Sequence, residues 1–181
     1  VYTENDNSFY IGVYRSKSDK YIIIYNSSTL SSDYHVLNAD NPEGEFHSFS
    51  PRDKKHEYSI EHYKDKFYII TNWNATNFRL METPDDATSK ENWTEVMAHR
   101  DDVLLSEVDV FENHLVISER KEGLRQLRII DQQSEGEHYM NFGEDVYAAY
   151  TLTNLNFDTN ILRYGFTSLK TPFSTIDYNM D

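Results

Sequence analysis

The stretch IEHYKDKFYI, residues Ile60–Ile69, is echoed 48 residues later by VDVFENHLVI, residues Val108–Ile117. Each copy is an apolar segment, a polar two-residue turn (Lys64-Asp65 or Glu112-Asn113) and a second apolar segment, which is the pattern of a β-hairpin. A third apolar segment follows each hairpin. Because a strand-only repeat of this length has the size of one propeller blade, the repeat predicts an all-β chain built from blades.

The amino-acid composition also favours strands. The chain contains 14 Tyr and 10 Phe residues, and aromatic side chains suit a pleated, half-buried surface. Only 6 glycines are present, so most turns have to be made by Asn, Asp, Ser and Lys. With 181 residues the chain can bury a core as one domain, and without cysteine it has neither a disulfide nor a thiol nucleophile.

Four strand-rich units follow one another along the chain, and together they form one partial propeller domain over residues 1–181. The first three units contain four predicted antiparallel strands each, and the fourth contains three, so the prediction is a fragment of about four blades whose last blade is incomplete. An insertion at Thr83–Asn92, with a short helical turn before Trp93, interrupts the second unit. The approximate blade boundaries are residues 6–50, 56–98, 104–142 and 146–181.

The formal net charge of -14 limits the classes of molecule that the chain is expected to bind. Nucleic-acid backbones and anionic membranes both require a positive surface, so neither is expected, and a basic partner fits better. The longest apolar run, Tyr21–Tyr25, falls far short of the ~18 residues of a membrane helix. An acidic surface also keeps a β protein soluble and discourages edge pairing, which is the simpler interpretation of the charge.

No catalytic, nucleotide or metal motif stands out. The nucleophile elbow G-x-S-x-G and the phosphate loop G-x-G-x-x-G are both absent from the sequence. His56 and His62 are six residues apart, which on a strand separates them by roughly 20 Å, too far to share a metal ion. The acidic segment Asp40–Glu45 lacks the alternating pattern of a calcium loop. We therefore predict no metal site, no cofactor and no catalytic residue.

The run NFRLMETPDDATSKENWTEV, residues Asn77–Val96, closely resembles the N-terminal propeller of the prolyl oligopeptidase family of serine peptidases, and in particular its oligopeptidase B branch. Further similar stretches occur in the expected order and cover nearly the whole chain. They are Phe9–Thr29, Phe49–Asn72, His99–Leu105 and Leu162–Met180.

This resemblance implies a seven-bladed propeller that caps an α/β-hydrolase domain and admits only short peptides to its catalytic serine, with cleavage after Arg or Lys. The catalytic triad of the family lies in the hydrolase domain, so none of it can be assigned to a residue here. The chain is then a middle portion of the propeller, and by itself it is not catalytic. Its expected partners are the hydrolase domain of the same parent chain and short basic peptides.

In propellers of this family the first strand of each blade lines the central channel. The resemblance therefore suggests four carboxylates as candidates for channel-lining residues, on or beside those strands: Glu57, Glu61, Glu107 and Asp109. Because adjacent strand residues alternate between faces, only some of them can point inward.

Two points stay open at this stage. An independent β-propeller binding module without peptidase activity is the alternative function, and the compartment is undetermined. The isolated fragment is also expected to self-associate through its open blade edges.

Overall fold

The computed structural model describes residues 2–134 and 136–181, and in these residues the chain forms four antiparallel sheets. The strands of each sheet pair in simple sequence order, with every strand beside its neighbour along the chain. This up-and-down order is that of a propeller blade, so the all-β prediction is confirmed. Of the described residues, none belongs to a helix long and apolar enough to cross a membrane. The chain divides into two compact units, residues 1–99 and 100–181.

The first unit contains the first and second sheets. The first sheet consists of β1 (Tyr10–Arg15), β2 (Tyr21–Ser27), β3 (Ser32–Asn38) and β4 (His47–Ser48). The second consists of β5 (Tyr58–Tyr63), β6 (Lys66–Thr71), β7 (Arg79–Pro84) and β8 (Thr94–Met97). A single 3₁₀ turn, Lys90–Asn92, precedes Trp93 where a helical turn was predicted.

The predicted insertion in the second sheet is shorter than expected. Thr83 and Pro84, which we assigned to the insertion, are still paired with Phe67 and Lys66 as the last residues of β7. The reason is the register of β6 with β7, which runs without a break from the pair of Thr71 and Arg79 to the pair of Lys66 and Pro84.

The second unit contains the third and fourth sheets. The third consists of β9 (Val103–Val110), β10 (His114–Lys121), β11 (Leu124–Asp131) and β12 (Glu137–Tyr139). The fourth has three strands within the described residues, β13 (Tyr147–Thr151), β14 (Ile161–Ser168) and β15 (Ser174–Asn179). The fourth sheet thus has one strand fewer than the other three, as predicted. The blade boundaries remain predictions, since sheets alone do not define where a domain begins and ends.

Each unit has its own apolar core between its two sheets. In the first unit Ile23 of β2 packs with Ile60, Phe67 and Ile69 of the second sheet and with Phe49, which follows β4. In the second unit the equivalent cluster joins side chains of both sheets: Phe111, Val116, Leu127, Ile129, Leu162 and Phe166. Alternate residues along each strand reach these cores, as the period of a β-strand requires.

Turns in this glycine-poor chain are made by residues in the left-handed backbone region. Lys64 begins the β5–β6 turn with φ 54°, and Glu122-Gly123 forms the β10–β11 turn with φ 51° and 84°. Asp19 and Asn74 also have positive φ. Lysine and glutamate have no side-chain compensation for this conformation, whereas glycine adopts it at no steric cost.

Replacing Lys64 with glycine is therefore expected to stabilise the chain, by about 0.5–1 kcal/mol in urea unfolding. The gain is limited because Lys64 also places its ammonium 4.8 Å from the centre of the Tyr63 ring. Lys54→Gly is the matched control, since Lys54 is exposed and does not have a positive φ. If Lys64→Gly destabilises the chain as much as Lys54→Gly does, the left-handed turn is not a source of strain.

Candidate functional site

The candidate carboxylates lie on or beside strands that form sheet edges. In every sheet the first strand along the chain is at one edge, which is true of β5 in the second sheet and β9 in the third. Glu61 belongs to β5, and Glu107 and Asp109 belong to β9, whereas Glu57 immediately precedes β5. Glu57 and Glu61 lie in the first unit, and the other two lie in the second.

Glu57 is tied to the neighbouring strand end. Its backbone NH donates to the Asn72 side-chain oxygen at 2.9 Å, and its carbonyl accepts from the Asn72 NH at 3.1 Å. The Asn72 amide also donates to the Glu57 carboxylate at 3.4 Å. The half-buried Glu57 therefore extends the β5–β6 pairing by one residue pair, at the end opposite the turn.

Glu61 is half-buried beside tyrosines of the first sheet. Burial raises the pKa of Tyr14 well above its ordinary value, and the negative charge of Glu61 raises it further. The pKa of Tyr34 is raised by the same two causes. The Tyr14 hydroxyl donates to the Ile60 carbonyl on β5 at 3.2 Å, which fixes the ring beside Glu61. Both phenols therefore stay protonated at neutral pH.

A β-bulge decides the orientation of Glu107. Ser118 of β10 pairs with Glu107 and Glu119 pairs with Leu105, so Ser106 is an extra residue on β9. The bulge resets the alternation of faces, because Leu105 is buried before it and Val108 is buried after it. Without the bulge, Glu107 would share the buried face of Leu105.

Glu107 is exposed as a result of this bulge. Its carboxylate accepts a hydrogen bond from the Thr151 hydroxyl of β13 at 3.2 Å. Asp109 lies two residues further along β9 and is half-buried. The second unit thus has two carboxylates on the same face of one edge strand, after the bulge.

One polar cluster of the first unit involves residues that sequence spacing did not identify. The Ser18 hydroxyl lies 2.6 Å from Nδ1 of His62, and Nε2 of His62 lies 3.4 Å from Oδ2 of Asp85. Lys20 donates to the same Asp85 oxygen at 2.5 Å, and the Tyr21 hydroxyl does so at 3.2 Å. We call these five residues the Asp85 cluster; they join the first sheet to the second.

The Asp85 cluster has the residue types of a serine hydrolase triad but not its geometry. Only 1% of the His62 side chain is exposed, so the imidazole cannot exchange a proton with a bound substrate. Burial also lowers the pKa of His62. Asp85 Oδ2 also accepts hydrogen bonds from Lys20 and Tyr21, whereas the aspartate of a triad serves to orient its histidine. The cluster is therefore a structural link between two sheets.

His56 and His62 have different hydrogen-bond partners. Nε2 of His56 lies 2.8 Å from the Thr71 hydroxyl, whereas His62 contacts Ser18 and Asp85. Among the residues the structure describes, no three His, Cys, Asp or Glu side chains are grouped to hold a metal ion. The segment Asp40–Glu45 forms turns, with the Gly44 NH donating to the Asn41 carbonyl at 3.0 Å.

Comparison with known proteins identifies the fold. The family model described as "Prolyl oligopeptidase, N-terminal beta-propeller domain" matches residues 1–181. The predicted propeller class is therefore confirmed for the whole chain.

Two curated relatives match almost the entire chain. Dipeptidyl aminopeptidase BI of Pseudoxanthomonas mexicana is 38% identical over 180 residues, which cover 99% of this chain and 25% of that protein. Protease 2 of Moraxella lacunata is 30% identical over 182 residues, which cover 99% of this chain and 26% of that protein. The chain thus spans about a quarter of the length of these relatives.

Solved structures agree with this assignment. Oligopeptidase B from Trypanosoma brucei, with covalently bound antipain and in its closed form, superposes with a TM-score of 0.90 at 26% identity, over 99% of this chain and 27% of that one. Oligopeptidase B from Leishmania major has a TM-score of 0.89 at 21% identity, over 99% of this chain and 27% of that one, and this likeness concerns the fold alone.

Proposed function

Because the chain belongs to the prolyl oligopeptidase family and matches its N-terminal propeller over residues 1–181, we propose that it is the substrate-gating part of an oligopeptidase B-like serine endopeptidase. The parent enzyme cleaves short peptides after Arg or Lys, and an α/β-hydrolase domain of the same parent chain supplies the catalysis. The observation that carries the proposal is the likeness of the entire chain, rather than of one sheet, to the propeller of oligopeptidase B.

The acidic edge strands give this part of the enzyme a role in substrate entry. Glu61 and Glu107 are charged groups on edge strands, and the net charge of the chain is -14. A negative field attracts cationic peptides and raises their association rate more than their bound-state affinity. Glu57 is held by Asn72, so we expect it to contribute less. Asp109 is half-buried like Glu61 and shares its face of β9 with the exposed Glu107.

We predict that Glu61→Gln and Glu107→Gln, made in the intact peptidase, each lower kcat/KM for an arginyl peptide by roughly twofold to fivefold at low salt. The loss should shrink as salt is added, since the Debye length is about 10 Å at 0.1 M. Initial rates at several salt concentrations measure the effect. Glu122→Gln, an exposed charge at the β10–β11 turn, is the matched control. A loss that does not depend on salt would contradict steering by these carboxylates.

A second candidate activity is the removal of dipeptides from free amino termini. It is favoured by the 38% identity to a dipeptidyl aminopeptidase, which exceeds the identity to Protease 2. The intact enzyme would then prefer a substrate with a free N-terminus over the same peptide with an acetyl group. An endopeptidase would cleave the blocked peptide equally well or better, so a pair of matched peptides distinguishes the two activities.

The independent binding module remains the alternative outside the peptidases. We predict that this polypeptide alone does not hydrolyse an arginyl chromogenic peptide, because no nucleophile elbow occurs in it. Turnover that copurifies with the chain and resists inhibitors of contaminating proteases would contradict the proposed division of labour. In the parent gene, a G-x-S-x-G elbow followed by Asp and His would support the peptidase, and its absence would support the binding module.

A further inference from the structure

A cavity of about 330 Å³ lies within the first unit, between β2 and β3 on one side and the segment after β7 on the other. Its apolar wall is formed by Val36 and the ring of Tyr21, which share one face of the first sheet, whereas the adjacent Leu37 lies on the other face. Its polar wall includes Asp85. The loop before β4 closes it, where the Gly44 backbone approaches Leu37 so closely that an added Cβ would be 3.1 Å from a Leu37 methyl carbon. A volume of this size is typical of small-ligand sites.

The hydrogen bonds to the Asp85 carboxylate in this wall are made to one of its two oxygens. Lys20, Tyr21 and His62 all contact Oδ2, and none of these three contacts reaches Oδ1. Burial acts to raise the pKa of Asp85, but the hydrogen bond and charge of Lys20 outweigh it and hold the pKa below its ordinary value. Asp85 is therefore an ionised group with one oxygen still available, and only 14% of its side chain is exposed.

The other charged groups around the cavity favour a cation. Glu45 and Asp86 also line it and are exposed, whereas Lys20 is the cation closest to Asp85. Two negative charges therefore remain after Lys20 is counted against Asp85. Within the described residues no three ligand-type side chains converge on one point, so these carboxylates do not form a cage for a metal ion. An elongated organic cation, with an apolar stem and a charged end, fits both walls.

We propose that this cavity anchors the side chain of a lysine or arginine in a bound peptide. The methylene groups pack on Val36 and the Tyr21 ring, and the charged end group donates to Oδ1 of Asp85 between the carboxylates of Glu45 and Asp86. The inference rests on the proposed function in one respect, since it assigns a second contact to the basic peptides on which the parent enzyme acts. It concerns binding by this chain, and no chemical step takes place here.

The test is a titration of the intact protein with N-acetyl-arginine amide, followed by the methyl NMR signals of Val36 and Leu37. These signals report on the cavity itself, so binding elsewhere in the protein does not affect the result. We expect saturable shifts with a roughly millimolar dissociation constant. N-acetyl-citrulline amide, which has nearly the same shape without the charge, is expected to leave both signals in place.

The variant that tests the cavity is Glu45→Gln with Asp86→Asn, which leaves the Asp85 cluster intact. We expect its affinity to fall roughly fivefold for each carboxylate. Asp40→Asn, an exposed change on the same loop outside the cavity, is the matched control. Equal shifts with citrulline, unchanged affinity of the double variant, or displacement of the arginine probe by Ca²⁺ would each overturn the proposal.

The outcome is separable from that of the proposed function. Cleavage of arginyl peptides without shifts at Val36 and Leu37 removes only the anchoring site. Shifts without cleavage leave the anchoring site in place and contradict the proposed peptidase.

Discussion

Replacing Glu119 with alanine is expected to lower the free energy of unfolding of the second unit by about 3–5 kcal/mol, which is a large part of the stability of a domain. Glu119 lies on β10 and is fully buried. Its Oε1 accepts from Arg100 and lies 3.6 Å from Arg128, and its Oε2 accepts from the Tyr139 hydroxyl at 2.9 Å. Alanine would take this buried carboxylate away from Arg100 and from the Tyr139 hydroxyl, whereas Arg128 would keep Glu137. Removing one member of a largely buried ion pair costs far more than the pair itself contributes.

Glu137→Gln is the matched control for this prediction. Glu137 also contacts Arg128, but about half of its side chain is exposed, so its loss should cost about 0–1 kcal/mol. Glu119→Gln keeps the shape and removes the charge, and its effect should fall between the two. Urea unfolding, followed by tyrosine fluorescence and circular dichroism, measures all three variants. If Glu119→Ala and Glu137→Gln cost the same, burial does not control the strength of this network.

The local elements of the fold could be predicted because their signals are local. A polar two-residue turn between apolar runs defines the β5–β6 hairpin, and the turn predicted at Lys64-Asp65 separates β5 from β6. The β10–β11 pair extends over polar residues that its apolar segments do not indicate, since Arg120 and Arg125 pair opposite each other. Register extends a hairpin over polar residues once its apolar part is fixed, and composition does not reveal where that extension stops.

The orientation of the candidate site residues could not be predicted, since it depends on one extra residue. Strict alternation places Glu107 on the face of Leu105, and the bulge at Ser106 places it on the other. A bulge has no strong sequence signature when the inserted residue is a serine. Glu57 was likewise identified as a strand-edge carboxylate, but its contacts with Asn72 come from the end of the neighbouring strand.

The Asp85 cluster could not be predicted from the spacing of residues in the sequence, for a different reason. Ser18 and His62 are 44 residues apart, and Lys20 and Asp85 are 65 apart. Only the packing of the first sheet on the second brings them together. The one local sequence signal of the cluster is the position of Asp85, directly after Pro84 at the end of β7.

A pH effect on the stability of the first unit is expected from His56. This residue precedes β5, is 4% exposed and is stacked on the Tyr58 ring at 4.8 Å. Its Nδ1 has no hydrogen-bond partner among the residues that the structure describes. Burial and the nearby charge of Lys90 lower the pKa of His56 from 6.5 to about 4, against an opposing effect of Asp53.

The direction of the pH dependence follows from this lowered pKa. Below pH 6.5 the unfolded chain takes up a proton on His56, whereas the folded chain does not until the pH approaches 4, so acid favours the unfolded state. The stability conferred by the neutral imidazole is complete above pH 6.5 and is lost as the pH falls to 4, by about 3 kcal/mol at most. Carboxylates contribute to the same slope, so the histidine has to be isolated by difference.

His56→Gln provides that difference, because glutamine can still hydrogen-bond the Thr71 hydroxyl but does not titrate. We expect it to be less stable than the wild type at pH 7, where the stacking on Tyr58 is lost, and to approach or overtake the wild type near pH 4. His47→Gln is the control, since it makes the same change at an exposed histidine of the first unit. Urea unfolding at half-unit steps from pH 7 to 4 measures both variants. Parallel curves for His56→Gln and the wild type would mean that the folded state protonates His56 as readily as the unfolded chain does, and that burial is not what keeps this imidazole neutral.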